Sequence, residues 1–123
     1  MKTAFTVVFM TAGAALAGCG TPGTAEEFTW AIENPKTVDK GAEFLFTVKA
    51  TNAAGAAVDG VKFRYQILWT GGSSNPLRHS GRTGEAQRLH ARMVAGPATI
   101  VVTSSNRDGL ETKVVECTFE VKS

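Results

Sequence analysis

The stretch that decides the fold is residues 61–69, which read VKFRYQILW. Apolar residues stand at every odd position, and all but one of the even positions are polar. Successive side chains of a β-strand point to opposite faces, so this alternation predicts a strand with one buried and one solvated face. The residues predicted to point inward are Val61, Phe63, Tyr65, Ile67 and Trp69. Those predicted to point outward are Lys62, Arg64, Gln66, Leu68 and Thr70.

The same alternation recurs on both sides of this stretch, and no segment after residue 18 shows a sustained helical period. Further strands are predicted within residues 28–32, 43–51, 88–93, 98–103 and 115–121. Their predicted core residues include Phe28, Trp30, Ile32, Phe44, Phe46, Val48, Ala50, Leu89, Ala91, Met93, Val115, Cys117, Phe119 and Val121. Arg88, His90 and Arg92 are predicted to face solvent.

The breaks between these runs are rich in the Gly, Asp and Asn residues that form turns. They fall at residues 39–41, 52–55, 59–60, 95–97 and 108–109. About seven short strands at this spacing predict an all-β domain over residues 28–123. Its expected form is an immunoglobulin-like antiparallel β-sandwich.

The chain begins as an export signal does. Met1 and Lys2 precede an apolar run from Ala4 to Leu16. A spanning helix needs about 20 apolar residues, so this shorter run is typical of a signal peptide, which we place at residues 1–18. Residues 19–27 are small and polar, and we expect them to form a flexible tether.

The end of that signal, Leu16-Ala17-Gly18-Cys19, resembles the lipobox of bacterial lipoproteins. The resemblance implies cleavage before Cys19, a diacylglyceryl thioether on its sulfur and an N-acyl chain on its amine. Two or more acyl chains hold a protein firmly on a membrane. Gly20, where some lipoproteins carry a retention aspartate, favours the outer membrane over the inner. The alternative is a plain secretory signal that leaves Cys19 as an unpaired thiol.

Composition limits the mature chain further. The 105 residues after the signal suffice for one domain, and their 12 basic and 11 acidic residues give no field that would attract nucleic acid. With Cys19 lipidated, only Cys117 remains, so we expect no internal disulfide and no cysteine metal cluster. Cys117 is expected to be a buried, inert thiol. No cofactor other than the covalent lipid is predicted.

The folded part also resembles the bacterial Ig-like domains of invasin- and intimin-type surface proteins. The resemblance rests on residues 38–41, 44–52, 55–61, 83–86 and 99–103. That family favours an aspartate where Asn52 stands and a proline where Ala57 stands, and its domains often occur in tandem. The resemblance implies an Ig-like fold in a cell-surface setting and leaves the ligand open.

Catalytic and metal chemistry find little support. A Ser/His/Asp triad would need His79 or His90 beside an oriented acid, but Asp39, Asp59 and Asp108 all stand in predicted turns. No segment has the closely alternating carboxylates of a calcium loop. We therefore predict that the chain is not an enzyme and has no metal site.

Three features are candidates for binding. One is the long segment Thr70–Glu85, which is either a functional loop or a hidden edge strand and carries Arg78, His79 and Arg82. The second is the outward row Arg88, His90 and Arg92. Together they predict an anionic partner such as lipid phosphate, lipopolysaccharide or an acidic protein, because arginine binds such groups bidentately; a merely solvated face is the alternative. The third is an apolar patch of Leu68, Val101 and Val114.

These observations lead to one functional hypothesis and one alternative. The hypothesis is a lipid-anchored, non-catalytic binding or adhesion module of the bacterial cell envelope. The alternative is a structural or accessory subunit, or an inhibitor that inserts residues 70–85 into an envelope protein complex.

Overall fold

The computed structural model describes residues 16–20, 28–72, 76–105 and 109–123. These residues form nine β-strands in two sheets and contain no helix. The strands are β1 Leu16–Gly20, β2 Thr29–Pro35, β3 Thr37–Asp39, β4 Glu43–Thr51, β5 Lys62–Leu68, β6 His79–Arg82, β7 Ala86–His90, β8 Gly96–Ser105 and β9 Glu111–Lys122. The predicted all-β sandwich is confirmed.

The two sheets differ in size. The smaller has the order β1-β2-β4-β7 and is antiparallel throughout. The larger has the order β3-β9-β8-β5-β6, in which only the pairing of β3 with β9 is parallel. The chain moves from β6 in the larger sheet to β7 in the smaller one through residues 83–85.

The core lies between the sheets, where the inward residues of both alternate with exposed ones. β4 shows this alternation in every residue from Glu43 to Ala50, and β5 shows it from Lys62 to Leu68. The predicted inward residues of β2, β4, β5 and β9 are buried or half-buried. Aromatic rings meet across the core, such as Phe46 with Tyr65 and Phe44 with Phe119 at centroid distances of 5.0 and 5.2 Å. Such pairs add packing energy beyond their buried area.

Several details of the predicted strands are wrong. β7 ends at His90, so Met93 leaves the sheet and is 69% exposed instead of entering the core. A register shift opposite Val102 and Thr103 turns Val114 inward beside Val115, so Val114 is buried and the predicted apolar patch does not form. The described residues form nine strands instead of about seven, because β1 and β3 lie in segments for which no strand is predicted.

The N-terminal assignment also changes. The predicted signal peptide and tether lie outside the described residues at 1–15 and 21–27. Residues 16–20, however, form β1, which pairs with β2 from Pro35 to Ala31. Cys19 and Gly20 therefore lie in a strand and not in a tether. Within the described ranges, no helix has the length and hydropathy to cross a membrane.

Candidate functional site

An open groove of about 1050 Å³ lies on the outer face of the larger sheet, over β5, β6 and β8. The sheet builds its floor, because Phe63 and Tyr65 turn into the core and leave Lys62 and Arg64 on the outside. The residues that line it are Val61, Lys62, Phe63, Arg64, Ser80, Gly81, Arg82, Glu85, Thr103, Ser104, Ser105, Gly109 and Glu111.

Three cationic side chains stand together in this groove. Lys62 lies directly opposite Arg82 on the neighbouring strand, and Arg64 lies opposite Ser80 on one side and Thr103 on the other. Cross-strand neighbours have Cβ atoms about 5 Å apart, and residues two apart along a strand are about 7 Å apart. The larger sheet therefore places the Cβ atoms of these three residues within about 8 Å of one another.

Gly81 brings β6 close to this sheet. A Cβ atom at this position would lie 2.7 Å from Cζ of Phe63 and 2.9 Å from Nε2 of Gln87. Only a residue without a side chain lets the edge strand sit over Phe63 at this distance. That approach places Ser80 and Arg82 beside Arg64 and Lys62.

Glu111 places a carboxylate of the protein at one end of the groove. Its Oε2 accepts a hydrogen bond of 2.7 Å from Oγ1 of Thr103, and its Oε1 forms an ion pair with the guanidinium of Arg78. The Thr103 hydroxyl, together with Arg78 and the nearby charge of Arg64, holds the pKa of Glu111 below its ordinary value, although partial burial opposes this. The Thr103 hydroxyl and the Arg78 guanidinium therefore stabilise the ionised carboxylate of Glu111 at this end of the groove.

The candidate binding residues of the segment Thr70–Glu85 reach this site only in part. Arg82 lines the groove and donates from a guanidinium nitrogen to the carbonyl of Gly60 at 3.2 Å. Arg78 precedes β6 and Glu111 begins β9, so their ion pair reaches across the intervening strands β5 and β8 at the border of the groove. His79 turns away, and its ring lies 5.2 Å from the ring of Tyr65. Of the two alternatives for the segment Thr70–Glu85, the hidden edge strand is confirmed, since the segment contains β6 at the edge of the larger sheet.

The second predicted group lies elsewhere. Nε of Arg88 is 2.7 Å from Oε2 of Glu43 on the smaller sheet, and His90 stands opposite Glu43 in the β4–β7 register. Arg92 follows β7 and stacks over the Trp69 ring at 5.8 Å. The six residues therefore do not form one cluster, because residues 83–85 carry the chain from one sheet to the other.

Sequence reasoning missed the groove itself. It predicted that Lys62 and Arg64 face outward, which the structure confirms, but it did not place them beside β6. β6 has no apolar alternation to reveal it, since its sequence is HSGR. A signal was available in the long, polar connection after β5, which could have been paired with that strand as a hairpin.

The two cysteines form a disulfide, with a Cα–Cα distance of 5.4 Å. The expectation of no internal disulfide and a free Cys117 thiol is therefore wrong. Cys19 on β1 at the edge of the smaller sheet meets Cys117, which points inward from β9 of the larger sheet. A sulfur in a disulfide cannot also be a lipid thioether, so this bond and the predicted lipidation of Cys19 are alternative states of the same atom.

A buried amide accompanies Cys117. Asn34 has no exposed surface; its Nδ2 donates to the carbonyl of Pro35 at 2.9 Å, and its Oδ1 lies 3.2 Å from Sγ of Cys117. A thiol at Cys117 would donate its hydrogen to that oxygen, whereas a disulfide sulfur has no hydrogen to donate. The amide oxygen is therefore satisfied by Cys117 only when that cysteine is reduced.

The structure is a β-sandwich with a groove on its larger sheet that is lined by Lys62, Arg64 and Arg82. No protein-family model matches the chain, and no curated protein matches its sequence. Within the described ranges, no group of three or more His, Cys, Asp or Glu side chains is arranged to hold a metal ion.

Proposed function

We propose that the chain is a non-catalytic binding module of the bacterial cell envelope. The observation that carries this proposal is the groove, in which Lys62, Arg64 and Arg82 converge with serine and threonine hydroxyls on a rigid sheet. The strands fix the backbone positions of these residues, so only their side chains need to be ordered when a partner binds. A cationic surface of this kind suits the phosphate and carboxylate groups of envelope components.

The strand order supports an immunoglobulin-like form of the sandwich. The antiparallel run β2-β4-β7 in one sheet matches strands A, B and E of that fold. The run β9-β8-β5 in the other matches strands G, F and C. This correspondence supports the proposed Ig-like class, and the function still rests on the groove because such sandwiches host many functions.

The proposed location rests on the Leu16–Cys19 sequence. Lipidation would begin the mature chain at Cys19, so only Cys19 and Gly20 of β1 would remain beside β2. Cys117 would then be a thiol, and Oδ1 of Asn34 would accept a hydrogen bond from it. The buried amide is thus compatible with the lipidated state. Membrane attachment, with the outer membrane favoured over the inner, completes the proposal.

The disulfide favours a second candidate, a freely secreted form of the same binding module. Residues 15–17 read Ala-Leu-Ala, which also fits the small-x-small pattern of an ordinary signal cleavage site. Cleavage there would leave Cys19 in the mature chain with a partner at Cys117. The objection that a secreted form would carry an unpaired thiol then no longer holds.

The anchor is tested with the wild type, Cys19→Ala and Cys117→Ala, expressed in a bacterium with an intact lipoprotein pathway. We expect the wild type and Cys117→Ala to carry a lipid mass and to fractionate with membranes, and Cys19→Ala to be soluble. A soluble wild type that begins at Gly18 and lacks the two thiol hydrogens would contradict the anchor and support the secreted form.

The binding role is tested separately with Cys19→Ala, because a lipid would itself hold the chain on membranes. We expect this variant to co-sediment saturably with washed cell envelopes. Arg64→Gln added to it should weaken the association. Arg88→Gln, which removes the same charge from the opposite sheet, should not. Absence of saturable binding would contradict the binding proposal whatever the state of Cys19.

A further inference from the structure

The groove holds more cationic than anionic side chains, since Glu85 and Glu111 line it beside Lys62, Arg64 and Arg82. The Thr103 hydroxyl, Arg78 and the charge of Arg64 lower the pKa of Glu111. Among the described residues, no carboxylate lies within ion-pair distance of Lys62, Arg64 or Arg82. Arginine and lysine elsewhere do find such partners, as Arg88 does with Glu43 and Lys49 with Glu33. These three cations therefore have no described carboxylate in direct contact, and an external anion can bind them.

Hydroxyl groups complete the surface around these cations. Ser80 faces Arg64 from β6. Thr103 faces it from β8, but its hydroxyl hydrogen already goes to Glu111. Ser104 is already engaged, since its hydroxyl donates to the carbonyl of Lys62 at 3.1 Å. Ser80 can donate to a ligand oxygen that a neighbouring arginine also contacts. This mixture of forked guanidinium and hydroxyl donors is typical of oxyanion recognition.

One anionic group of the protein, the carboxylate of Glu111, is already bound at the groove. Glu111 sits at the end of the groove with one oxygen on the Thr103 hydroxyl and the other on Arg78. The part of the groove that a ligand could enter begins beside this carboxylate. Beyond it, the area between Arg64, Lys62 and Arg82 is open and has the same kinds of donor.

We propose that this open area binds a phosphate monoester or diphosphate group; the proposal rests on the binding function given above and names its ligand. Three cationic residues whose Cβ atoms lie about 5–8 Å apart match the charge of about −1.5 to −2 that a phosphate monoester carries near neutral pH better than the single charge of a carboxylate. The only aromatic residue of the lining, Phe63, is 3% exposed, so the groove offers no ring on which a base or sugar could stack.

The phosphate could belong to a free phosphorylated molecule or to a lipid headgroup, and two probes separate these sources. The protein is the full chain with Cys19→Ala, so that no lipid anchor contributes. One arm titrates inorganic pyrophosphate by calorimetry in a phosphate-free buffer at low salt. The other measures co-sedimentation with vesicles that contain phosphatidic acid, compared with vesicles of neutral phosphatidylcholine alone.

We expect saturable binding in at least one arm, and weaker binding as salt is added. Arg64→Gln should weaken it about tenfold or more, since hydrogen bonds to charged groups contribute about 1.5–3 kcal/mol. Arg88→Gln, the matched control on the opposite sheet, should change it less than about twofold. Lys62→Gln provides a second groove variant should Arg64→Gln unfold at a lower temperature than its parent.

The outcomes are distinct. Binding of pyrophosphate alone supports the proposal with a free ligand, and binding of the phosphatidic acid vesicles alone supports it with a lipid ligand. The proposal is overturned if neither arm shows saturable binding. It is also overturned if Arg88→Gln weakens binding as much as Arg64→Gln does. If Cys19→Ala still co-sediments with cell envelopes in that case, the binding module stands and only its ligand class is wrong.

Discussion

The Oδ1 atom of Asn34 lies 3.2 Å from the Sγ atom of Cys117, and both residues are buried. A buried polar atom without a hydrogen-bond partner costs about 1–3 kcal/mol. The oxidation state of Cys117 decides whether this oxygen has a donor there, because only the thiol carries a hydrogen. The contact between Asn34 and Cys117 therefore links the state of Cys19, disulfide-bonded or not, to hydrogen bonding in the interior of the sandwich.

Asn34→Ala should destabilise the reduced protein more than the oxidised one. In the reduced state the substitution removes an S–H···O hydrogen bond as well as the contact between Nδ2 and Pro35; in the oxidised state it removes only the latter. We expect a loss of about 1–3 kcal/mol under reducing conditions. Urea unfolding with and without a reductant measures the difference. Thr51→Ala, at an exposed hydrogen bond to Thr29, is the control and should respond equally in both states.

Reduction of the Cys19–Cys117 bond should lower the stability of unlipidated protein. The bond closes a sequence separation of 98 residues, and cross-linking a loop of that length restricts the unfolded chain by about 4–5 kcal/mol in the chain-entropy treatment. The free energy of unfolding of the wild type should therefore fall on reduction, while that of Cys117→Ala should not change. Equal stability of oxidised and reduced wild type would contradict a structural role for the bond.

Thr83→Val should destabilise the turn that joins the two sheets. Thr83 is buried; its Oγ1 donates to the carbonyl of Val58 at 2.7 Å and accepts from the backbone N–H of Val61 at 3.0 Å. Valine keeps the shape and leaves both backbone groups without this partner, at a cost of about 1–3 kcal/mol. Chemical denaturation measures the loss. Thr51→Val, whose exposed hydroxyl makes one longer bond, should lose much less.

The sequence allowed the sandwich to be predicted because its central strands are half-buried. The alternation from Val61 to Trp69 exists because β5 packs one face on the core, so the pattern and the structure have the same physical cause. β6 has no such pattern. It is an edge strand that contacts the core through Gly81 over Phe63, and a glycine gives no hydrophobic signal.

The sites were harder to predict because they depend on contacts that are distant in sequence. Arg82 and Arg88 are six residues apart, yet the turn at residues 83–85 sends them to different sheets. Cys19 and Cys117 are separated by 98 residues in sequence and lie on strands of different sheets. The buried position of Val114 follows from a register shift at Val102 and Thr103, which no local pattern revealed. Alternation predicted which residues of β4 and β5 face the core, but not which strands lie beside them.

Glu111 should contribute to stability only while it is ionised. Its pKa in the folded protein lies below its ordinary value, chiefly because the Thr103 hydroxyl donates to the carboxylate and then because Arg78 pairs with it. The unfolded chain therefore binds this proton more readily than the folded one. The stabilisation is present above the ordinary glutamate pKa and is lost as the pH falls through the lowered value. Because the Arg78 side chain is 48% exposed, we expect the pair to contribute less than about 1 kcal/mol.

A side-chain NMR titration of Glu111 tests this directly, and acid unfolding curves test its consequence. Thr103→Val should raise the pKa of Glu111 toward its ordinary value, whereas Arg88→Gln on the opposite sheet should leave it unchanged. Glu111→Gln should be slightly less stable than the wild type near neutral pH, and the two should converge once the pH is below the lowered pKa. A pKa of Glu111 that does not move in Thr103→Val would show that the hydroxyl is not its main cause, and the donor set assigned to this end of the groove would then be wrong.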